Sequence, residues 1–140
     1  MNILLAADGS RFTKKALAFL VVNNLLMESD ATLHVINVQP PLPSNATRFL
    51  PKGTVNDYHR EQAEKVLAPI QRFVDRHKLK CEVQWTVGLV DEEICKAVVK
   101  HKSHMIVMGT HGHGLLGRIV MGSVAQRVVA TSPVPVLLVK

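Results

Sequence analysis

Glycines in the last quarter of the chain form its clearest chemical pattern. Five of the eight glycines fall within fourteen residues, at positions 109, 112, 114, 117 and 122. Glycine is costly to order, so such a cluster marks unusual backbone or backbone that a ligand approaches closely. An apolar run at 105–108 precedes the cluster, and another begins at Val124 after Ser123. A strand that passes through glycines into a helix N-terminus presents N–H groups to an anion, and the pattern predicts a phosphate-binding loop.

Two common nucleotide motifs are excluded for this loop. Gly112, Gly114 and Gly117 have the spacing of the dinucleotide fingerprint G-x-G-x-x-G. That fingerprint belongs to the first strand–helix turn of its unit and requires an acidic residue about 20 positions later. No acidic residue follows Glu93, so the fingerprint is rejected. The P-loop pattern G-x-x-x-x-G-K-[ST] is also absent from the sequence.

Asp8 is the carboxylate best placed to meet a sugar. It follows an aliphatic run at 2–7, which is typical of a strand buried on both faces of a parallel sheet. A carboxylate at the end of such a strand can accept hydrogen bonds from ribose hydroxyls. Asp8, Gly9 and Ser10 also have turn and capping chemistry, so a role for Asp8 in capping its helix alone stays open.

Histidine and cysteine give weaker indications of chemistry. His111 and His113 could supply two metal ligands at most, with no Cys, Asp or Glu near them in the sequence. A phosphate-adjacent or solvent-exposed role is expected for them. Cys81 and Cys95 have no recognisable spacing and are expected to be reduced packing residues. Neither cysteine has a neighbouring sequence context that would favour nucleophilic catalysis.

Length and composition predict one globular domain over residues 1–140, because 47% of the residues are hydrophobic and 20% are charged. The longest apolar stretch, 16–26, contains two asparagines and is too short to span a bilayer. No export signal is evident at the N-terminus, so a cytoplasmic location without membrane contact is predicted. The net charge is +6, but the basic residues are scattered and not interleaved with aromatic ones. Nucleic-acid binding is therefore not expected.

Strand-like and helix-like patterns alternate, which predicts an α/β fold with a mainly parallel sheet. Strands are predicted at 2–7, 32–38, 81–87, 105–108 and 133–139, with helices at 58–77 and 123–130 and after positions 10 and 91. Asp91 is expected to cap the helix that follows it. Prolines at 40, 41 and 43 predict a long loop over 39–56, and Pro69 is expected to kink its helix or break its hydrogen-bond ladder locally.

Gly109-x-x-Gly112, nine further residues and Gly122-Ser123 form a frame that resembles the nucleotide-binding loop of the universal stress protein family. The segments MGTHG, MGSVAQRVV and SPVPVLLV resemble the C-terminal third of that family. ILLAADGS and LHVI resemble its N-terminal part, so the resemblance spans the chain. It implies a Rossmann-like sheet of five strands in the order 3-2-1-4-5 with helices on both faces. That order would place Asp8 and Gly109 on opposite sides of one crevice.

The resemblance also implies the ligand and the assembly. The ligand is ATP, expected together with Mg²⁺, and Val35 matches the family position whose backbone meets the adenine. The implied nucleotide-binding residues are Ala7, Asp8, Val35, Gly109, Gly112, His113, Gly122, Ser123 and Val124. A homodimer through the C-terminal strand is predicted as well, since that strand is apolar and carries no charge before Lys140.

Two other classes of function stay open. ATP hydrolysis or phosphoryl transfer would need a base for the attacking nucleophile and magnesium ligands of the P-loop type, and neither is identifiable. A pure interaction protein with a vestigial pocket is the other class, and the intact glycine frame argues against it. The role in a stress response is implied by the resemblance alone.

Overall fold

Strands and helices alternate along the whole described chain. The structure is a computed structural model that describes residues 1–26, 30–112 and 121–140. In chain order its elements are β1 (Asn2–Ala6), α1 (Arg11–Val22), β2 (Thr32–Gln39), α2 (Ser44–Thr47), α3 (Lys52–Arg76), β3 (Cys81–Val87), α4 (Val90–His101), β4 (Met105–Gly109), α5 (Ser123–Thr131) and β5 (Val136–Val139).

The five strands form one parallel sheet in the order β3-β2-β1-β4-β5. The predicted fold class and strand order are confirmed. In the register of the sheet, Leu4 of β1 lies between His34 of β2 and Ile106 of β4. Strands β1 and β4 are central and covered on both faces, which explains why both are continuous apolar runs in the sequence.

Two hydrophobic cores lie on the two faces of the sheet, because successive strand residues point to opposite sides. Helices α1 and α3 cover one face, and α4 and α5 cover the other. The first core includes Ile3, Leu5, Leu17, Leu20, Leu33, Val35, Ile70, Val74 and Val107. The second core includes Leu4, Ile36, Ile94, Ala97, Val98, Ile106, Met108, Ala125 and Val128.

The ends of β1 and β4 form the switch point of the sheet. After β1 the chain enters α1 on one face, and the helix that follows β4, α5, packs on the other face. Adjacent parallel strands whose following helices go to opposite faces leave a crevice at their carboxyl ends. This topology places Asp8 and Gly109 at the same edge of the sheet.

The predicted loop over 39–56 is wrong in most of its length. Helix α2 occupies Ser44–Thr47, and α3 begins at Lys52. Pro43 and Pro51 stand at the N-cap positions of these helices. A proline just before a helix removes no intrahelical hydrogen bond, since the first N–H groups have no partner there. The prolines therefore mark where helices begin.

Pro69 lies inside α3, and the helix continues past it to Arg76. One further local prediction needs correction. Helix α4 has Leu89 as its N-cap, so Asp91 is not the cap. Asp91 lies instead in the first turn, where its negative charge interacts favourably with the helix dipole. Its Oδ1 also accepts a hydrogen bond from the Nε of Arg127 at 3.1 Å.

Among the residues that the structure describes, no helix has the length and apolarity needed to cross a bilayer.

Candidate functional site

A cleft of about 320 Å³ opens at the carboxyl edge of the sheet, between the ends of β1 and β4. Seven of the nine predicted binding residues line it, namely Ala7, Asp8, Gly109, Gly112, Gly122, Ser123 and Val124. Of the other two, Val35 is not part of the lining, and His113 lies outside the described residues. The fold thus gathers residues from the two ends of the sequence into one site.

The Asp8 carboxylate is fixed by the turn that leads into α1. Its Oδ1 accepts hydrogen bonds from the N–H of Ser10 at 2.9 Å and from the hydroxyl of Thr13 at 2.8 Å. The N-cap of α1 is Ser10, whose hydroxyl accepts from the N–H of Thr13 at 3.4 Å. Asp8 supports the cap residue without being the cap. Its side chain is exposed at the rim of the cleft.

Gly112 allows the loop after β4 to approach Asp8. A Cβ atom added at Gly112 would lie 2.8 Å from Oδ2 of Asp8, closer than such contacts normally come. The second carboxylate oxygen therefore faces the glycine loop across the cleft. Gly109 has a different reason for its type, because a Cβ there would collide with Cβ of Phe12 in α1. Gly109 is therefore required by the packing of α1, whereas Gly112 leaves space in the cleft.

A backbone hydrogen bond connects the start of α5 to the residue that follows β4. The N–H of Gly122 donates to the carbonyl of Thr110 at 2.8 Å, and the N–H of Thr110 donates to Val139 in β5 at 3.0 Å. Gly122 is the N-cap of α5, and the following residues Ser123 and Val124 line the cleft. The first N–H groups of a helix have no partner within it and carry partial positive charge. This end of the cleft is suited to an anion.

The opposite wall of the cleft is apolar. It is formed by side chains from β2, α4, β4 and α5, namely Ile36, Val38, Val90, Ile94, Met108 and Ala125. Pockets for small organic ligands combine such apolar walls with a few convergent polar groups. A flat, largely apolar ring could lie against this wall while Asp8 and the α5 N-terminus bind the polar part of the same molecule.

Val35 is kept from the cleft by its place in the sheet. In a parallel strand the N–H and C=O of one residue point to the same neighbouring strand. The N–H of Leu33 donates to the carbonyl of Lys80, just before β3, so the backbone groups of Val35 also point toward β3. The carbonyl of Ile36 points the other way and accepts from the N–H of Ala7 at 2.9 Å. Ile36, one residue later, and Val38 are the β2 residues that line the cleft.

Sequence reasoning missed the apolar wall and Thr13. Val90 and Ile94 are one helical turn apart, and Ile36 and Val38 alternate along β2, so each pair has a periodicity that shows in the sequence. The sequence does not reveal that α4 packs over the end of β2, and this packing brings both pairs to the same cavity. Thr13 lies in the first turn of α1, three residues after the N-cap Ser10, and its hydroxyl reaches back to Asp8.

His111 is the described histidine of this site. Its Nδ1 lies 3.0 Å from the hydroxyl of Thr110, and its ring packs against Phe12 with centroids 5.4 Å apart. The guanidinium carbon of Arg11 lies 4.9 Å from the centroid of the same phenyl ring. His111 lines the cleft, and its phosphate-adjacent or solvent-exposed role stays a prediction.

The cysteines do not belong to the cleft, and both are free. Burial raises the pKa of the Cys81 thiol and, together with the smaller effects of the negative charges of Asp75 and Glu82, brings it to about 12. Cys81 is therefore a protonated thiol at neutral pH and is not a nucleophile.

The chain is similar to known proteins over its whole length. A profile of the Universal stress protein family matches residues 1–140. A universal stress protein of Thermus aquaticus is 34% identical, over 99% of this chain and 98% of its own.

Solved structures with the same fold include two with a nucleotide. A universal stress protein family protein from Arabidopsis thaliana with AMP bound has a TM-score of 0.72 at 16% identity, covering 100% of this chain and 91% of its own. The universal stress protein from Archaeoglobus fulgidus in complex with dAMP has a TM-score of 0.70 at 19% identity, covering 100% and 98%. A profile match over residues 1–140 and a relative of similar length at 34% identity show that this chain belongs to the universal stress protein family.

Proposed function

We propose that this protein binds ATP in the cleft between the ends of β1 and β4. The observation that carries the proposal is the meeting of the Asp8 carboxylate, the glycine backbone and the α5 N-terminus around one cavity with an apolar wall. The relatives with AMP and dAMP bound support an adenine nucleotide as the ligand class. The choice of a triphosphate is based on the glycine frame and the helix N-terminus, which offer several N–H groups to an extended anion.

Each part of the cleft has a role in this proposal. The adenine ring packs against Ile36, Val38 and Ile94. Asp8 accepts hydrogen bonds from the ribose hydroxyls, and its bonds to Ser10 and Thr13 keep it in position. The phosphates are bound by the N–H groups at the start of α5 and by the hydroxyl of Ser123. The added carbon of any larger residue at Gly112 would occupy the space beside Asp8.

Mg²⁺ is expected to accompany the triphosphate. It prefers oxygen ligands and usually binds through substrate phosphates, waters and one or two protein oxygens. The described part of the lining offers the carboxylate of Asp8 and the hydroxyls of Thr13 and Ser123, so its donor set fits such an ion.

Turnover of ATP is expected to be slow. Within the described part of the lining, Asp8 is the only carboxylate, and it already accepts two hydrogen bonds from its own turn. A general base must reach the attacking water with a pKa near the working pH, and no second carboxylate of the described lining supplies one.

Isothermal titration calorimetry with ATP and Mg²⁺ tests the proposal. The wild-type protein is expected to bind ATP and to give little heat with NAD. Gly122→Val is expected to lose ATP binding, because a Cβ at Gly122 already lies 3.2 Å from the carbonyl of Thr110 and the branched side chain fills the loop. Gly53→Val is the matched control, since nothing lies within 4 Å of an added Cβ there. Tight NAD binding without an ATP signal would overturn the proposal.

We also propose that the protein works as a homodimer in the cytoplasm, in a response to stress. The support for the dimer is the position of β5, an apolar strand at the edge of the sheet that pairs with β4 on one side. Membership of the universal stress protein family supports the proposed role in a stress response.

A further inference from the structure

Two histidines and a glutamate, none of which lines the cleft, meet on the face of the sheet that α4 covers. His34 in β2 and Glu82 in β3 are register partners, and His101 is the last residue of α4. Helix α4 begins at the cleft with Val90 and runs twelve residues to His101, a length of about 18 Å. The three side chains therefore form a cluster separate from the nucleotide cleft.

The donor atoms of this cluster are close together. Nδ1 of His34 lies 3.2 Å from Oε2 of Glu82, and Nδ1 of His101 lies 3.9 Å from the same oxygen. One donor atom from each of the three residues can be chosen so that all three lie within 4.8 Å of one another. The imidazole rings face each other with centroids 4.2 Å apart.

Both imidazoles have a buried nitrogen without a hydrogen-bond partner among the described residues. These atoms are Nδ1 of His34, whose side chain is 9% exposed, and Nε2 of His101, whose side chain is 14% exposed. The 3.2 Å contact between His34 and Glu82 does not have the angles of a hydrogen bond. Leaving a buried polar atom unpaired costs free energy, so Nδ1 of His34, the unpaired atom that lies beside Glu82, would gain from a ligand there.

We propose that His34, Glu82 and His101 bind a divalent transition-metal ion of the Zn²⁺ class. Two imidazoles and one carboxylate, with water in the fourth position, are an established ligand set for zinc. Imidazole donors favour Zn²⁺, Cu²⁺ or Ni²⁺ over Mg²⁺ and Ca²⁺, which prefer oxygen ligands only. The ion would bind Nδ1 of His34, which is buried and unpaired, Nδ1 of His101, and the carboxylate of Glu82.

A small rearrangement completes the geometry. Tetrahedral zinc with ligands at about 2.0–2.1 Å separates its donor atoms by about 3.4 Å, which is close to the two distances to Glu82. The ring planes of His34 and His101 are tilted by 30°, so one ring must rotate before both lone pairs point to one ion. His101 can rotate because it ends α4, and Glu82 can follow because its side chain is 66% exposed. His34 is held in the middle of the sheet.

Other possible zinc ligands lie elsewhere and set the design of the test. Side chains alternate along β3, and Cys81 packs with the core under α1 and α3, on the face opposite to α4. Cys95 is half-buried in α4, with its sulfur 3.6 Å from the hydroxyl of Thr131. The zinc titration therefore uses protein that carries Cys95→Ser, which removes that thiol. Zinc binding at His111 is distinguished from binding at the cluster by spectroscopy.

Calorimetric titration of the nucleotide-free Cys95→Ser protein with zinc chloride is the first measurement. One Zn²⁺ per chain is expected, and Glu82→Gln and His101→Gln should each weaken its binding at least tenfold. The matched controls are Glu61→Gln and His77→Gln, exposed residues of the same types in and directly after α3, which should leave the affinity unchanged. ATP affinity should stay the same in both cluster variants, so a failure here is separable from a failure of the nucleotide proposal.

Long-range ¹H–¹⁵N spectra of the imidazoles provide a second measurement without any cluster variant. Zinc is expected to shift the nitrogen resonances of His34 and His101 and to leave those of His59 and His77 in place. Absence of zinc binding at sub-millimolar metal would overturn the proposal. So would equal affinity in Glu82→Gln and wild type, or shifts confined to His111 and His113.

Discussion

The two oxygens of the Asp8 carboxylate have different surroundings. Oδ1 faces its own turn and accepts from Ser10 and Thr13, whereas Oδ2 lies on the side of Gly112. One oxygen therefore positions the side chain, and the other is directed toward the cleft. A single residue type supplies both functions because a carboxylate has lone pairs enough for several donors.

Asp8→Asn separates these two functions. The amide oxygen can still accept from Ser10 and Thr13, so the turn should remain, but the charge offered to the ribose is lost. A hydrogen bond to a charged group contributes about 1.5–3 kcal/mol, so ATP affinity is expected to fall roughly ten- to a hundredfold. Calorimetry measures the change, with Asp57→Asn on the exposed face of α3 as the control for net charge. Unchanged affinity in Asp8→Asn would contradict the assigned role.

Residue types and positions in the sequence were sufficient to predict that Asp8, Gly112 and Gly122 lie near one another, because Asp8 follows one strand and the two glycines lie between another strand and a helix. Ile94 could not be predicted in the same way. It is a core residue of α4 by its spacing, and only the packing of that helix over the carboxyl ends of the strands makes it part of the cleft. Contacts that depend on tertiary packing have no local signature.

At the scale of elements, the turn between β1 and α1 depends on the backbone of Gly9. Its φ is +79°, in the region that residues with a side chain rarely adopt, and an added Cβ would lie 3.2 Å from Cγ2 of Val66 in α3. The turn that carries Asp8 is thereby packed against α3. The same helix begins at Lys52 after Pro51, which sequence reasoning had assigned to a loop because it took proline as a barrier to regular structure.

Gly9→Ala and Gly53→Ala are expected to change stability in opposite directions. Gly9→Ala should lower the free energy of unfolding by about 1–2 kcal/mol, the cost of a left-handed conformation for a residue with a Cβ. Gly53 lies in the first turn of α3 with open space around it, so Gly53→Ala should raise that free energy by about 0.5 kcal/mol. Urea denaturation followed by circular dichroism measures both, and a stabilising Gly9→Ala would refute the argument.

At the scale of the whole molecule, β5 leaves one side of the sheet without a partner strand in the described structure. The carbonyls of Pro135 and Val139 accept from Ile106 and Thr110, so the backbone groups of odd-numbered residues point toward β4. Those of Val136 and Leu138 point outward by alternation. A second copy could pair with these groups in an antiparallel arrangement across a two-fold axis.

Val136→Pro tests this edge without adding a charge. Proline removes one outward N–H and is tolerated in edge strands whose N–H faces solvent, so the monomer should still fold. Val136→Ala is the control, because it shortens the side chain and keeps the N–H. Light scattering should give twice the 15.4 kDa chain mass for wild type and Val136→Ala, and a shift toward the monomer for Val136→Pro. Monomeric wild-type protein at micromolar concentration would exclude the proposed dimer.

The apolar wall of the cleft is continuous with the core beneath α4 and α5. Ile36, Ile94, Met108 and Ala125 belong to both, so a bound ring would complete the packing of that face. Ligand saturation at a hundred times the dissociation constant adds about 2.7 kcal/mol to the free energy of unfolding. The thermal stability of the protein would then rise with the surrounding concentration of nucleotide, and the protein would unfold more readily wherever nucleotide is depleted.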